Sequence, residues 1–230
     1  MKKAICIVAA HPDDEVLGCG GTIARYVAED YEVHVLILAE GVMARFAGVD
    51  REGKASDLVS LAGQSEAAHR ILGTTSLELL SFPDNRLDSI DLLDVIKAVE
   101  IFLDKHNPEF VFTHHAGDVN IDHRIVLQAV TAACRPIGSR KSLQGLFLFE
   151  IPSSSEWQLP GMYPAFIPSL FIDIEAYLPK KIASLACYDS EMRPFPHSRS
   201  YEAIEALAKW RGVSGGFFAA EAFCIGRLRW

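Results

Sequence analysis

Seven short apolar runs set the limits on this fold. They fall at residues 4–10, 32–38, 77–80, 110–112, 146–149, 170–172 and 222–225. Most are rich in Val, Ile, Leu and Phe with no polar alternation, the pattern of strands buried on both faces. Between them lie segments with apolar residues at helical spacing. Helices are expected over residues 20–30, 56–72, 90–105, from 122 to Pro136, and near 176–188 and 200–211. Leu92, Leu93, Ile96, Val99, Phe102 and Leu103 make one such helical face. Alternating strand and helix with apolar strands predicts an α/β fold with a mostly parallel sheet covered on both faces. No repeat or linker interrupts the pattern. The 230 residues suffice for a single domain over 1–230 with a full core.

Composition narrows the partners. Net charge is −8 and no Lys/Arg block occurs, which argues against nucleic acid and against an anionic membrane surface. No apolar run reaches bilayer-spanning length. The lysines at positions 2 and 3 and the apolar run after them superficially suggest a signal peptide. That run stops at His-Pro-Asp-Asp with no small-residue cleavage site, so it reads as a strand. The cysteines, Cys6, Cys19, Cys134, Cys187 and Cys224, are odd in number, form no CxxC pair and sit mostly in apolar runs. Free thiols in a cytoplasmic protein are expected.

In a parallel sheet, ligands bind beyond the carboxyl ends of the strands. The distinctive polar residues gather there. His11, Asp13 and Asp14 follow the first strand, Glu40 and Arg45 the second, and Asp84, Asn85 and Arg86 the third. His114, His115, Asp118, Asn120, Asp122 and His123 follow the fourth. Charges are costly where water is scarce, so the acids of "AAHPDDE" call for a cation. His11 and Asp14 can face one ion from a tight turn, with a third ligand from the histidines of "THHAGDVNIDH". A catalytic zinc takes three such ligands and keeps a position for water. Asp122 can cap the following helix and hold His123 in its first turn. Taken alone, the acids also suit a helix N-terminus. "GCGG" at 18–21 is no phosphate loop, because acids stand where phosphate would sit, and it reads as a helix start packed on the sheet.

"AHPDDEVLGCGGTIAR" followed by "THHAGDVNIDH" resembles the LmbE-like, or PIG-L, family of zinc-dependent N-acetylglucosaminyl deacetylases. "EGVMARF", "FPDNRLDS", "RPFPHSRS" and "AEAF" resemble a bacterial branch of it. The resemblance implies a Rossmann-like three-layer sandwich and one Zn²⁺ per chain, although a His-His-Asp site also accepts other divalent metals. It implies His11, Asp14 and His123 as metal ligands, Asp13 as general base and Asp84 as a contact for sugar hydroxyls. It further implies a hydrolase that frees acetate from a small N-acetylated amino sugar, and a homo-oligomer. Two positions depart from the family pattern. Asn120 stands where many members have an oxyanion-stabilising histidine, so Asn120, His114 or His115 must serve. No arginine stands in the helix around 61–66, and Arg45 or Arg51 is the substitute. Asp122 is expected to orient a ligand or to cap its helix. In the proline-held loop 193–200, His197 and its neighbours either close over substrate or form a rigid surface loop. Arg45, Asp84, Arg86 and His197 are thus the expected substrate contacts. Trp157 either stacks on a sugar or anchors its loop, and Trp210 with Leu207 reads as core or subunit contact. Competing readings are an amidase for a non-sugar N-acyl substrate, such as a thiol conjugate or antibiotic precursor, and a non-catalytic zinc- or carbohydrate-binding protein. A nucleotide-binding reading lacks the glycine fingerprint.

Overall fold

The computed structural model describes residues 2–40, 51–137 and 142–229, without the side chains of 51–60. Arg45 lies outside the described residues, as does the side chain of Arg51. A seven-stranded sheet runs in the order β3-β2-β1-β4-β5-β7-β6. Its strands are β1 (Ala4–Ala9), β2 (Glu32–Ala39), β3 (Ser76–Phe82), β4 (Phe110–His114), β5 (Gly145–Phe149), β6 (Leu170–Asp173) and β7 (Ala220–Leu228). β1 to β5 pair in parallel, and β7 inserts antiparallel between β5 and β6. The helices are α1 (Asp14–Ala28), α2 (Arg51–Leu72), α3 (Leu92–His106), α4 (Ile121–Ala133), α5 (Leu178–Leu185) and α6 (Tyr201–Gly215).

The period-two alternation of each strand divides the core. Ile5 and Ile7 of β1, Val33, Val35 and Ile37 of β2, and Phe112 of β4 pack under α1, α2 and α5 with Leu17, Ile23, Leu72 and Leu185. Cys6, Val8, Leu36, Leu38 and Val111 face the other way, against Val95, Val99 and Phe102 of α3 and Val126 and Val130 of α4. The result is the expected three layers. The chain reverses its winding between β1 and β4, which opens a crevice at their carboxyl ends, the usual ligand position in such a sheet.

Helix α1 corrects one sequence expectation. It begins at Asp14, not near residue 20, and breaks at Cys19 (φ −149°, ψ 26°) without ending. The glycines read as a start because they weaken helix propensity. Gly18 instead permits close approach, since a Cβ there would lie 2.5 Å from the Phe149 ring. The break frees main-chain donors, and Glu221 of β7 takes them: Gly21 N–H donates to its Oε1 (3.0 Å) and Thr22 N–H to its Oε2 (2.7 Å). Lys181 of α5 closes the knot, 2.6 Å from Glu221 Oε1 and donating to the Leu17 carbonyl at 2.8 Å. Both charges are buried. Glu221→Ala leaves a buried ammonium and two orphaned amides, so it should lower unfolding free energy by about 3–5 kcal/mol. Urea denaturation of the variant and the parent measures this directly.

Two smaller expectations also change. Trp210 is 64% exposed, so it is not core. Asn120 caps α4, its Oδ1 accepting from Asp122 N–H at 2.8 Å, so Asp122 does not. Helix α6 is capped by Ser200. The described cysteines are all free thiols, and no helix among the described residues is long and apolar enough to cross a membrane.

Candidate active site

The turn after β1 and the loop after β4 meet at the crevice. His11, Asp14 and His123 are buried and offer ligand atoms all within 4.8 Å of one another. Asp14 Oδ2 lies 3.2 Å from both His11 Nδ1 and His123 Nε2. Each histidine is held from behind by a carboxylate. Asp122 Oδ2 hydrogen-bonds His11 Nε2 at 3.0 Å, and Asp118 Oδ2 lies 3.0 Å from His123 Nδ1, near enough to attract it though not aligned for a hydrogen bond. Such carboxylate–histidine pairs fix the ring so that the opposite nitrogen is presented to a metal. Asp14 Oδ1 and His123 Nε2 are buried with no hydrogen-bond partner. Unsatisfied buried atoms of this kind are rare and need an explanation. A divalent cation would supply it, and two neutral imidazoles with one carboxylate would suit zinc.

A second group, His11, Asp84 and Asp122, is also close enough to hold an ion. It is the poorer candidate because both Asp122 oxygens are already occupied. They accept from the main-chain N–H of Asn85 (2.7 Å) and Leu87 (3.0 Å). Asp122 therefore ties the loop after β3 to His11.

The charges of the metal-free chain are strongly biased. Burial works against a charged His11, yet hydrogen bonds to Asp122, Asp14 and Asp84 hold its pKa well above the usual imidazole value. His123 rises to about 9, with Asp14 and Asp118 overcoming burial. Asp14 stays well below the carboxylate range despite burial, because His123 and His11 attract its charge. This negative pocket favours positive charge, and an incoming cation would displace the imidazolium protons.

Asp13 stands apart from these ligands. It precedes α1 at φ 100°, ψ −32°, a conformation that L-residues seldom adopt. Its Oδ2 meets Arg199 Nη1 at 2.6 Å. Burial pushes the Asp13 carboxyl well above its ordinary pKa, Arg199 opposes this, and Asp14, Glu191 and Glu15 add to it. A carboxylate raised in this way is better matched to moving protons near neutral pH.

A cleft of about 350 Å³ opens over these groups, lined among others by Asp13, Asp84, Asn120, His123, Glu191 and Arg199. Asp84, as expected, lies in it, 3.2 Å from His11 Nε2. Asn120 lies in it too, donating from Nδ2 to Asn85 Oδ1 at 3.0 Å. His114 does not line it. It is fully buried at the end of β4, stacked on His123 at 4.0 Å between ring centroids. Its Nε2 accepts the Ala10 N–H at 2.9 Å, so the ring is the floor beneath the candidate ligands. His115 turns towards Phe166, with its Nδ1 accepting from Gly117 N–H. Arg86 is exposed outside the cleft lining. His197 stays within its loop, its Nδ1 accepting the Arg199 N–H at 3.0 Å and its ring packed edge-on to Trp157 at 5.6 Å.

Two residues of consequence have no role assigned from the sequence. Arg199 lies within the proline-held loop, but nothing in "RPFPHSRS" says which cation turns inward. Asp118 has a readable signal, since Asp-x-Asn favours a turn closed by the aspartate. Here Asn120 N–H donates to Asp118 Oδ1 at 2.8 Å, and the Ser154 and Ser155 hydroxyls donate to the same carboxylate. Asp118→Asn should weaken metal affinity by about 10–100-fold. Competition with a chromophoric chelator gives the number.

The family profile for GlcNAc-PI de-N-acetylases, PIG-L, matches residues 6–134, more than half of the chain, and spans every candidate ligand just described. The chain belongs to the PIG-L family. This PIG-L protein is 30% identical over 207 residues to the 4-oxalmesaconate hydratase of Pseudomonas putida, covering 81% of this chain and 73% of the relative. It is 28% identical over 199 residues to the diacetylchitobiose deacetylase of Thermococcus kodakarensis, covering 83% and 70%. Its fold matches the crystal structure of the conserved protein TT1542 from Thermus thermophilus with a TM-score of 0.74 and 28% identity, over 98% and 95% of the two chains. The resemblance seen in the motifs holds for family and fold, and the chain is an enzyme of a deacetylase family.

Proposed function

We propose that this PIG-L protein removes the N-acetyl group from an amino-sugar substrate, in a metal-dependent hydrolysis with Asp13 as general base. The observation that carries the reading is the buried His11, Asp14 and His123 group with its unsatisfied ligand atoms, set beside a raised carboxylate in an open cleft. A divalent cation held by those three residues would polarise the amide carbonyl and lower the pKa of a water to about 7.

The remaining work belongs to the chain. Asp13 takes a proton from the attacking water as the new C–O bond forms. Arg199 grips one oxygen of that carboxylate and fixes its direction. The developing oxyanion needs a donor in a dry, fixed position. Asn120 is the candidate, because one Nδ2 proton serves Asn85 and a second is available at the cleft wall. His114 is withdrawn from that role by its burial and its bond to Ala10. Asp13 then passes its proton to the amine nitrogen as the C–N bond breaks, releasing acetate and a free amine. Asp84 and Glu191 bring carboxylates to the cleft, which suit sugar hydroxyls as donors.

A second reading rests on the hydratase relative and on Arg199. The same base could deliver water to a carbon–carbon double bond, with the guanidinium recognising a substrate carboxylate. One experiment separates the two. The zinc-loaded protein is given N-acetylated amino sugars, free and glycosidic, and separately an unsaturated dicarboxylate. Acetate release supports the deacetylase reading. Loss of the dicarboxylate's ultraviolet absorbance with no acetate from any sugar would replace it with the hydratase.

A further inference from the structure

The geometry points to Glu15 as a positioning residue for Asp13, locking the backbone that aims the general base. The inference rests on the reaction proposed above, but the contacts that carry it do not. Glu15 is fully buried in the first turn of α1 and takes no part in the ligand group. Its Oε2 accepts the main-chain N–H of Asp13 at 3.1 Å. Its Oε1 accepts the Tyr188 hydroxyl at 2.9 Å. His69 Nε2 of α2 lies 3.2 Å from the same oxygen, near enough to attract it though not aligned for a hydrogen bond. His69 is itself braced through Nδ1, 3.2 Å from Thr74 Oγ1.

A buried carboxylate is costly unless its charge is met. A helix cap alone does not require one here, because Asp13 already sits at the helix start and a neutral side chain could bond its N–H. What the site has to offset is the backbone of Asp13, held at φ 100°, a conformation that L-residues seldom adopt. A charge-assisted bond to that N–H answers the strain directly. The Asp13 residue is thus gripped at two points, by Glu15 through the main chain and by Arg199 through the carboxylate. Both grips are continuous through the chain. Tyr188 lies in the short 3-10 turn Ala186–Glu191, whose last residue lines the cleft 3.7 Å from Arg199 Nη1. Misplacing a catalytic group by about 1 Å can cost 10²-fold in rate, so the effect of loosening Glu15 should fall on kcat.

The test uses full-length zinc-loaded Glu15→Gln and Tyr188→Phe beside the parent. Glu15→Gln keeps the volume but removes the charge and replaces one of the two accepting oxygens with an amide nitrogen that cannot accept. Its kcat should fall about 10–100-fold, with KM within about twofold and one metal per chain retained. Tyr188→Phe should fall in the same direction by a smaller factor, and it carries the test alone if Glu15→Gln does not fold. The Asp13 amide proton, assigned by NMR in the metal-free chain, should shift in Glu15→Gln, a signature that a general loss of packing would not confine to one residue. Parental kcat in a folded variant overturns the inference. Should the parent release acetate from no substrate, the proposed function fails separately. The Asp13 amide then decides for Glu15, and an unmoved resonance counts against it.

Discussion

Asp13→Asn lowers kcat for acetate release by about 10²–10⁴-fold while the protein keeps its metal. The substitution is isosteric, so the cleft keeps its shape. What goes is the capacity to take a proton. Asp13 is not a member of the His11, Asp14 and His123 group, which is why metal content is expected to hold. Arg199 loses its carboxylate partner at 2.6 Å but retains Glu191 at 3.7 Å, so the loop carrying it stays anchored. KM should change little, because the effect is on a proton transfer and not on substrate contacts. Steady-state kinetics with metal analysis on the same sample check both halves. Loss of metal in a folded Asp13→Asn variant would mean that Asp13 is a ligand.

His123→Ala has an effect as large by another route. It removes one of the three proposed ligands, and removing even a residue behind a ligand weakens metal binding by about 10–100-fold. The loss here should exceed that range and take activity with it. The metal-free fold should survive. Asp118 keeps its bonds from Asn120 and the two serines, and Asp14 keeps His11. The ring stacked over His114 leaves a gap, so some stability is lost. Equilibrium dialysis against zinc and a thermal melt separate the two effects.

These expectations use residues of unequal legibility. The strands are legible because both faces are buried, so their apolar runs are nearly continuous. The candidate ligands His11 and Asp14 are legible because a strand end bearing His-Pro-Asp-Asp-Glu has few other physical justifications, whereas the choice of His123 among the histidines after β4 comes from the family resemblance. The α1 boundary is not, since "GCGG" weakens helix propensity and its compensation lies some two hundred residues away, in Glu221. Arg199 is hidden for the same kind of reason. Its partner Asp13 is 186 residues earlier, and a local pattern carries no sign of that pairing. His114 misleads in the other direction. A histidine at a strand end resembles a site residue, but whether its ring faces the cleft or the floor is settled by the Ala10 N–H across the sheet. His197 draws the eye before Arg199 because imidazole is the commoner catalytic group, whereas here it serves the loop's own main chain.

The metal decides the central claim. The protein should be stripped with a strong chelator, confirmed to be metal-free, and titrated with Zn²⁺ while acetate release from an N-acetylated amino sugar is followed. The expected result is no activity in the stripped protein and full recovery at one Zn²⁺ per chain. Undiminished acetate release from the metal-free protein would contradict it, leaving the buried histidines and aspartates to be explained without a cation.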